Sequence, residues 1–384
     1  MDLTLPKEIQ VELWRRVVEA VVGYASDVSR LKVASAFSPQ EVREVFAHLD
    51  FEKRWEPQKA IEFALQVSSQ LQVQISHPAY FGLFDPPSST MGIIGETLVA
   101  TFNPQLSVWS QSPGAVEMEQ LLVRAFADKF GYKDTEADGT FTSGGAEANH
   151  TALITALTSV FPAFVRNGVR ALAGQPVLYV SAEGHHSIMK AARSCGLGAE
   201  SVREIDVDEH LRLNIRVLKE KILQDKKAGL LPFLVVATVG TTNAGAIDPL
   251  KELADIAAEE KMWLHADAAW GGAVALVPEL RGLLQGIERA DSITFDTHKW
   301  LSIPRGAGLY LTRHPKVLGD AFHVTASYMP LVNTDKAEVT DPFKHSMQWS
   351  RHFTGLKVFL TLAVAGWKGY AEAIRRQLSV ADYL

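Results

Sequence analysis

The apolar positions divide the chain into a helical first part and an alternating remainder. Between residues 8 and 22, Ile9, Val11, Leu13, Val17, Val18, Val21 and Val22 fall at mostly helical spacing. A second helix is expected after Ser38-Pro39, with Ser38 as N-cap and Pro39 in the first helical position. A third covers 57–71. Residues 77–87 carry too many prolines and turn formers for regular structure. From about residue 115, short apolar runs alternate with amphipathic helices. The runs are 177–180, 233–238, 262–267 and 292–296, and helical spacing recurs at 148–160, 211–223 and 250–260. Asp248-Pro249 reads as N-cap and first residue of the last of these. Continuous apolar strands between helices predict an α/β fold around a buried, mostly parallel sheet.

Composition narrows the class. The 384 residues hold 38 Lys+Arg against 44 Asp+Glu, a formal net charge of −6, and 47 % are apolar. This is a globular balance with material for a large core. Mild acidity argues against a nucleic-acid partner, which wants a basic stripe. No apolar run is long enough to cross a bilayer, and the first residues lack a signal-peptide layout. A single cysteine, Cys195, excludes an intramolecular disulfide and a cysteine-built zinc site. The expected compartment is the cytoplasm.

Ligands of open parallel sheets bind beyond the carboxyl ends of the strands. There the sequence places Gly184-His185-His186-Ser187, Gly240-Thr241-Thr242-Asn243, Asp267-Ala268-Ala269 and Asp296-Thr297-His298-Lys299. Ser143-Gly144-Gly145-Ala146 opens a helix whose free amides suit an anion, although a plain glycine turn would look the same. Asp267 ends an apolar run and needs a cation, several donors or a helix to cap. Lys299 beside apolar residues is a candidate Schiff-base nucleophile, or an ordinary loop lysine. His185 or His186 can stack on a flat ligand or simply bond its own loop. A metal site from His185, His186, Asp267 and His298 is the competing reading, unsupported by any H-E-x-x-H spacing. Taken together, a phosphate cradle, a ring stacker, a buried carboxylate and a following lysine are the four parts that pyridoxal 5′-phosphate requires.

The sequence resembles the group II pyridoxal-phosphate-dependent amino-acid decarboxylases from about Pro78 onward. The likeness is carried by Ser292-Ile-Thr-Phe-Asp-Thr-His-Lys-Trp300, Trp263-Leu-His-Ala-Asp-Ala-Ala-Trp-Gly271 and Gly184-His-His-Ser-Ile-Met-Lys-Ala191. Thr238-Val-Gly-Thr-Thr-Asn-Ala-Gly-Ala-Ile-Asp-Pro249 and Ser112-Pro-Gly-Ala-Val-Glu-Met-Glu119 add to it. The resemblance implies an aspartate-aminotransferase-like (type I) fold with a seven-stranded-type sheet, and a homodimer with active sites at the subunit interface. It makes Lys299 the Schiff-base lysine, Asp267 the partner of the pyridine nitrogen, His185 the cover of one ring face and Ala269 of the other. Gly144, Gly145, Ala146, Asp296 and His298 then surround the phosphate, and Thr241 lies near the ring. Asp296 stands where many relatives have asparagine. The implied reaction is decarboxylation of an L-amino acid to its amine and CO₂ through an external aldimine and a quinonoid.

The same resemblance sets the expected domains: a helical segment over 1–76, a large cofactor-binding domain over 77–353, and 354–384 leading toward a small C-terminal domain that the chain lacks. Without that domain, a weakened or inactive chain serving as an interaction subunit is a further alternative. Relatives commonly place a tyrosine on a mobile loop as proton donor. The corresponding stretch here, Asp341-Pro342-Phe343-Lys344-His345-Ser346, has none. This leaves His345 as a candidate donor and keeps open a coupled oxidative deamination that yields an aldehyde. Phe81, Phe84 and Trp109 suit an aromatic substrate, and Asp85 a cationic one.

Overall fold

The computed structural model describes residues 3–83, 86–133, 135–325 and 339–383. The chain forms two units, Met1–Pro87 and Ser88–Leu384. The first contains α1 (Lys7–Asp27), α2 (Pro39–Phe46) and α3 (Pro57–Gln70). The start of α2 follows from two reciprocal bonds: Glu41 N–H donates to Ser38 Oγ at 3.2 Å, and Ser38 N–H donates to Glu41 Oε2 at 2.7 Å. Phe63 meets Phe46 and Trp55 edge-on, with centroids 5.9 and 5.5 Å apart. None of the three helices buries a residue fully. Val11, Trp14, Val18 and Val22 of α1 are exposed.

The second unit opens with α4 (Thr90–Phe102) and α5 (Pro113–Lys129). Then follow β1 (Asp138–Thr142), α6 (Gly145–Val160), α7 (Phe164–Asn167), β2 (Pro176–Ser181), α8 (Ser187–Ser194) and β3 (Val202–Ile205). Next come α9 (Ile215–Lys227), β4 (Leu231–Thr238), α10 (Leu250–Glu260), β5 (Trp263–Asp267) and β6 (Ser292–Asp296). β7 (Gly308–Thr312), α11 (Val317–Phe322) and α12 (Gly355–Tyr383) complete it. The seven strands form one sheet in the order β1-β7-β6-β5-β4-β2-β3. β7 runs antiparallel to both neighbours and all other pairs are parallel. This is the expected α/β sheet flanked by helices.

Strand alternation explains the two cores. Val177 and Tyr179 of β2, with Val235 and Ala237 of β4, join a core that includes Phe126, Leu218, Leu253 and Val358, from α5, α9, α10 and α12. Their neighbours Leu178, Val180, Leu234 and Val236 face Leu153, Leu157 and Ile188 of α6 and α8. Both faces are therefore covered, which is why these strands read as unbroken apolar runs. Among the described residues no helix is long and apolar enough to cross a membrane.

The start of one helix and the cap of another differ from expectation. The helix predicted over 211–223 begins at Ile215. Asn214 Oδ1 accepts the N–H groups of Arg216 and Val217, and a bridge between Val207 and Leu213 folds the preceding residues back. Asp248 does not cap α10. Its two oxygens instead accept the N–H groups of Leu213 and Thr238, both at 2.7 Å, tying the end of β4 to the turn before α9. Burial pushes its carboxyl up to about 6, although both amides pull it down. Because the folded value lies above the ordinary 3.8, the stability tied to the protonated acid is complete below pH 3.8 and lost as pH rises through 6. The stability of the protein relative to Asp248→Asn is expected to fall by about 3 kcal/mol between pH 4 and 7, measured by denaturant unfolding. A difference that stays flat across that window contradicts this account of Asp248.

Candidate active site

The parallel strands β2, β4, β5 and β6 end on one edge of the sheet. A cavity there is lined by Gly145, Asn149, His185, Asp267, Asp296 and Lys299, together with Ala146, Thr238, Gly240, Thr242, Ala269 and Trp270. The site thus takes residues from the start of α6 and from the loops after four strands. Register brings them together: Thr238 at the end of β4 sits beside Asp267 on β5, and Asp267 beside Thr294 on β6.

Asp267 is 6 % exposed. Its Oδ2 accepts Asn149 Nδ2 at 2.7 Å, and its Oδ1 accepts the N–H of Ala269 at 3.3 Å. Asn149 is the hub of a buried network. Its Oδ1 accepts Thr294 Oγ1 at 2.8 Å and faces His265 Nε2 at 3.0 Å. Its Nδ2 also donates to Ser187 Oγ at 2.8 Å. Burial pushes His265 down to about 4, so its imidazole is neutral near pH 7. Because Asn149 Oδ1 only accepts, Nε2 carries the proton of His265 and Nδ1 accepts from Ser292 Oγ at 2.9 Å. Ser292 Oγ is in turn the acceptor of Trp263 Nε1 at 2.8 Å.

The same chain fixes His185. Ser187 N–H donates to His185 Nδ1 at 3.2 Å, so that nitrogen is an acceptor, and Ser187 Oγ, which accepts from Asn149 Nδ2, donates to it at 2.8 Å. The ring's N–H is therefore on Nε2. Asn149 so orients both the acid and the imidazole of the cavity. Asn149→Ala removes the acceptor of two buried donors and is expected to cost about 2–4 kcal/mol of unfolding free energy. It should also weaken cofactor retention, measured by dialysis. Wild-type stability and retention together would contradict the network.

The lysine loop is built as tightly. Lys299 N–H returns to Asp296 O at 3.1 Å, and Ser302 N–H to Lys299 O at 3.1 Å, in a turn where Ser302 adopts φ 56°. Lys299 Nζ lies 3.3 Å from Asp296 Oδ2. His298 Nδ1 accepts Ala307 N–H at 3.3 Å, and burial holds its imidazole below the ordinary range. Its Nε2 is 3.8 Å from Asp296 Oδ2. Trp270, which lines the cavity, stacks on Trp300 at 4.8 Å and 9°. Gly240, at φ +88°, leaves the space for Trp270; a Cβ there would lie 2.5 Å from the indole.

Most of the residues singled out from sequence converge on this cavity: Gly145, Ala146, His185, Asp267, Ala269, Asp296 and Lys299 line it. Gly144 and His298 stand just behind, a Cβ on Gly144 lying 3.4 Å from His298 Cε1. Thr241 does not reach the lining. Its hydroxyl accepts Ala246 N–H at 3.1 Å inside its own turn, and Thr242 lines the cavity instead. His186 opens α8, and among the described residues no group of three or more His, Cys, Asp or Glu is placed to hold a metal ion. His345 bonds Asp138 Oδ2 at 2.7 Å, at the start of β1. Within this chain the cavity lies beyond the other end of that strand, about 13 Å away at the rise of an extended chain. Phe343 is buried against Trp349 at 4.9 Å. Trp109 is held by Asp341 and Glu117. Phe81 is 82 % exposed. Phe84 and Asp85 lie outside the described residues.

The residues present fit pyridoxal 5′-phosphate. Helix geometry leaves the Gly145 and Ala146 amides without intrahelical acceptors. A Cβ on Gly145 would stand 2.8 Å from Asp296 Oδ2 and fill that corner. Asp296 Oδ1 is a buried oxygen with no hydrogen-bond partner among the described residues. Among the described lining residues Lys299 is the only lysine and Asp267 the acid anchored from behind.

Comparison with known proteins agrees. The pyridoxal-dependent decarboxylase conserved domain matches residues 39–384. An aromatic-L-amino-acid decarboxylase of Bacillus atrophaeus is 30 % identical over 381 residues, covering 99 % of this chain and 78 % of that protein. The structure of Oryza sativa TDC with PLP and tryptamine superposes with a TM-score of 0.91 at 26 % identity, over 100 % of this chain and 80 % of that one. Mouse CSAD in apo form gives 0.89 at 28 % identity, over 98 % and 78 %. The chain belongs to the pyridoxal-dependent decarboxylase family and is a pyridoxal 5′-phosphate-dependent carboxy-lyase.

Proposed function

We propose that this chain removes CO₂ from an L-amino acid, with aromatic side chains the favoured class, and releases the amine. The observation that carries the reading is the meeting of Lys299, Asp267, His185 and the start of α6 on one cavity wall. The preference for an aromatic substrate rests on the Bacillus relative and on the neighbour solved with tryptamine. The bound cofactor supplies an electron sink for the carbon that loses its carboxylate. Lys299 Nζ, which lines the cavity, is the amine that would hold the cofactor through its aldehyde. Asp267 would favour a proton on the cofactor's ring nitrogen by placing an opposite charge beside it. His185 and Ala269, which both line the cavity, would cover the two faces of the cofactor ring. The amides of Gly145 and Ala146 would hold the phosphate, with His298 close behind them.

The working form in this reading is a cytoplasmic homodimer with its sites at the subunit interface. The exposed apolar residues of α1 support a further packing partner. Sedimentation of the holoprotein is expected to give a dimer; full turnover in a species that stays monomeric would remove this part of the proposal.

The reaction is tested by supplying the holoprotein with L-tryptophan, L-tyrosine, L-phenylalanine and L-glutamate and following CO₂ and organic product. Amine in step with CO₂ from an aromatic substrate is the expected result. Aldehyde with ammonia and hydrogen peroxide would assign the oxidative reaction, and no CO₂ from any amino acid would overturn the proposal.

A further inference from the structure

The corner that suits the phosphate already carries an acid. Asp296 closes β6 and is 3 % exposed. Its Oδ1 is buried with no hydrogen-bond partner among the described residues, its Oδ2 contacts Lys299 Nζ at 3.3 Å, and a Cβ on Gly145, in the first turn of α6, would stand 2.8 Å from Oδ2. A phosphate monoester carries about −1.5 to −2 charges at neutral pH. An ionised carboxylate beside it repels it, and an ionised carboxylate has no hydrogen to donate. An asparagine at this position would present an N–H. An aspartate presents a donor only as the neutral acid.

The charged surroundings favour the neutral form once the corner fills. Burial is the main force lifting the Asp296 carboxyl above its ordinary range. Lys299 and His298, on its own loop, oppose that, and Asp267 on β5 adds to it. His298 is held below its ordinary range by burial, so near neutrality it brings little positive charge. On α6, Glu147 is committed to Ser143 and Gln348. Arg305, before β7, acts on His298, and His185 lies on the cavity wall beyond. Lys299 is thus the principal countercharge of Asp296, and the cofactor aldehyde claims that amine.

We propose that Asp296 receives the cofactor phosphate as the neutral acid, so that cofactor binding by this chain takes up a proton that an asparagine would not require. The inference rests on the cavity being the pyridoxal phosphate site. The proton comes from solvent, is shared by Asp296 and the phosphate, and returns to solvent when the cofactor leaves. Neutralising Asp296 also releases Lys299 from its ion pair.

The test uses pyridoxine 5′-phosphate, which lacks the aldehyde and so separates phosphate binding from capture by Lys299. Its Kd is measured by calorimetry from pH 6.5 to 9, in two buffers of different ionisation enthalpy, for the protein, Asp296→Asn and Asp296→Ala. The ratio of the wild-type Kd to that of Asp296→Asn is expected to rise toward about tenfold per pH unit above neutrality, the slope of one coupled proton. Wild type should take up one proton more per ligand than either variant. Asp296→Ala gives the same comparison where the asparagine variant does not fold. Parallel pH profiles with equal proton uptake would overturn the role of Asp296 and leave the cofactor site standing. No binding by any of the three proteins at any pH would remove the site itself, and the inference with it.

Discussion

Lys299→Ala is expected to abolish the visible absorbance of the lysine-bound cofactor and to lower turnover by about a thousandfold or more. Among the described residues that line the cavity no second lysine is available to replace it. The loss should be chemical and not structural. The loop is held by its backbone, through Lys299 N–H to Asp296 O and Ser302 N–H to Lys299 O, and a substitution at Cβ leaves those bonds intact. Lys299→Arg makes the distinction sharp. It retains a cation for Asp296 but offers no amine to an aldehyde, and should be as inactive as the alanine variant. Both should still bind pyridoxine 5′-phosphate. A visible band and near-normal turnover in either variant would contradict the assignment.

Asp267→Ala is expected to slow the reaction by on the order of 10²–10⁴-fold, about 3–5 kcal/mol in the barrier. The acid sits at the end of β5, 6 % exposed, and is aimed by Asn149 and the Ala269 amide. Its charge acts where water is largely excluded, so the interaction is stronger than in solvent. Asp267→Asn separates charge from shape. If the negative charge matters, the isostere should lose nearly as much as alanine. An asparagine variant within about threefold of wild type would show that hydrogen bonding alone suffices. Cofactor retention should weaken in both variants, measured by the fraction of bound cofactor after dialysis.

The strands that carry the site were legible because each is buried on both faces. The runs 177–180, 233–238, 262–267 and 292–296 lie within or nearly coincide with β2, β4, β5 and β6. β3 was not legible: it pairs on one side only and half of its four residues, Arg203 and Glu204, reach the surface. β1 mixes an aspartate, a glycine and two threonines with one phenylalanine, a composition closer to that of a turn. The start of α9 was misplaced because an apolar spacing continues through residues that a bridge folds back. Asn149 escaped notice altogether. Its signal was present, a single amide side chain among the apolar residues of α6, one turn after Gly145. Its partners Asp267, Ser187, His265 and Thr294 are scattered over more than a hundred positions, and only the folded sheet brings them within reach. Thr241 and Thr242 show a finer limit, since adjacent hydroxyls cannot be told apart until the turn decides which one it uses internally.

Residues that each also read as a cap, a loop histidine or an ordinary loop lysine become one site because four parallel strands end together. The most direct measurement is therefore a chemical one. The protein is incubated with pyridoxal 5′-phosphate, reduced with borohydride, digested and sequenced by mass spectrometry. The account predicts a single phosphopyridoxyl adduct on Lys299, absent from Lys299→Ala. An adduct on a different lysine, or unaltered labelling of Lys299→Ala, would contradict it.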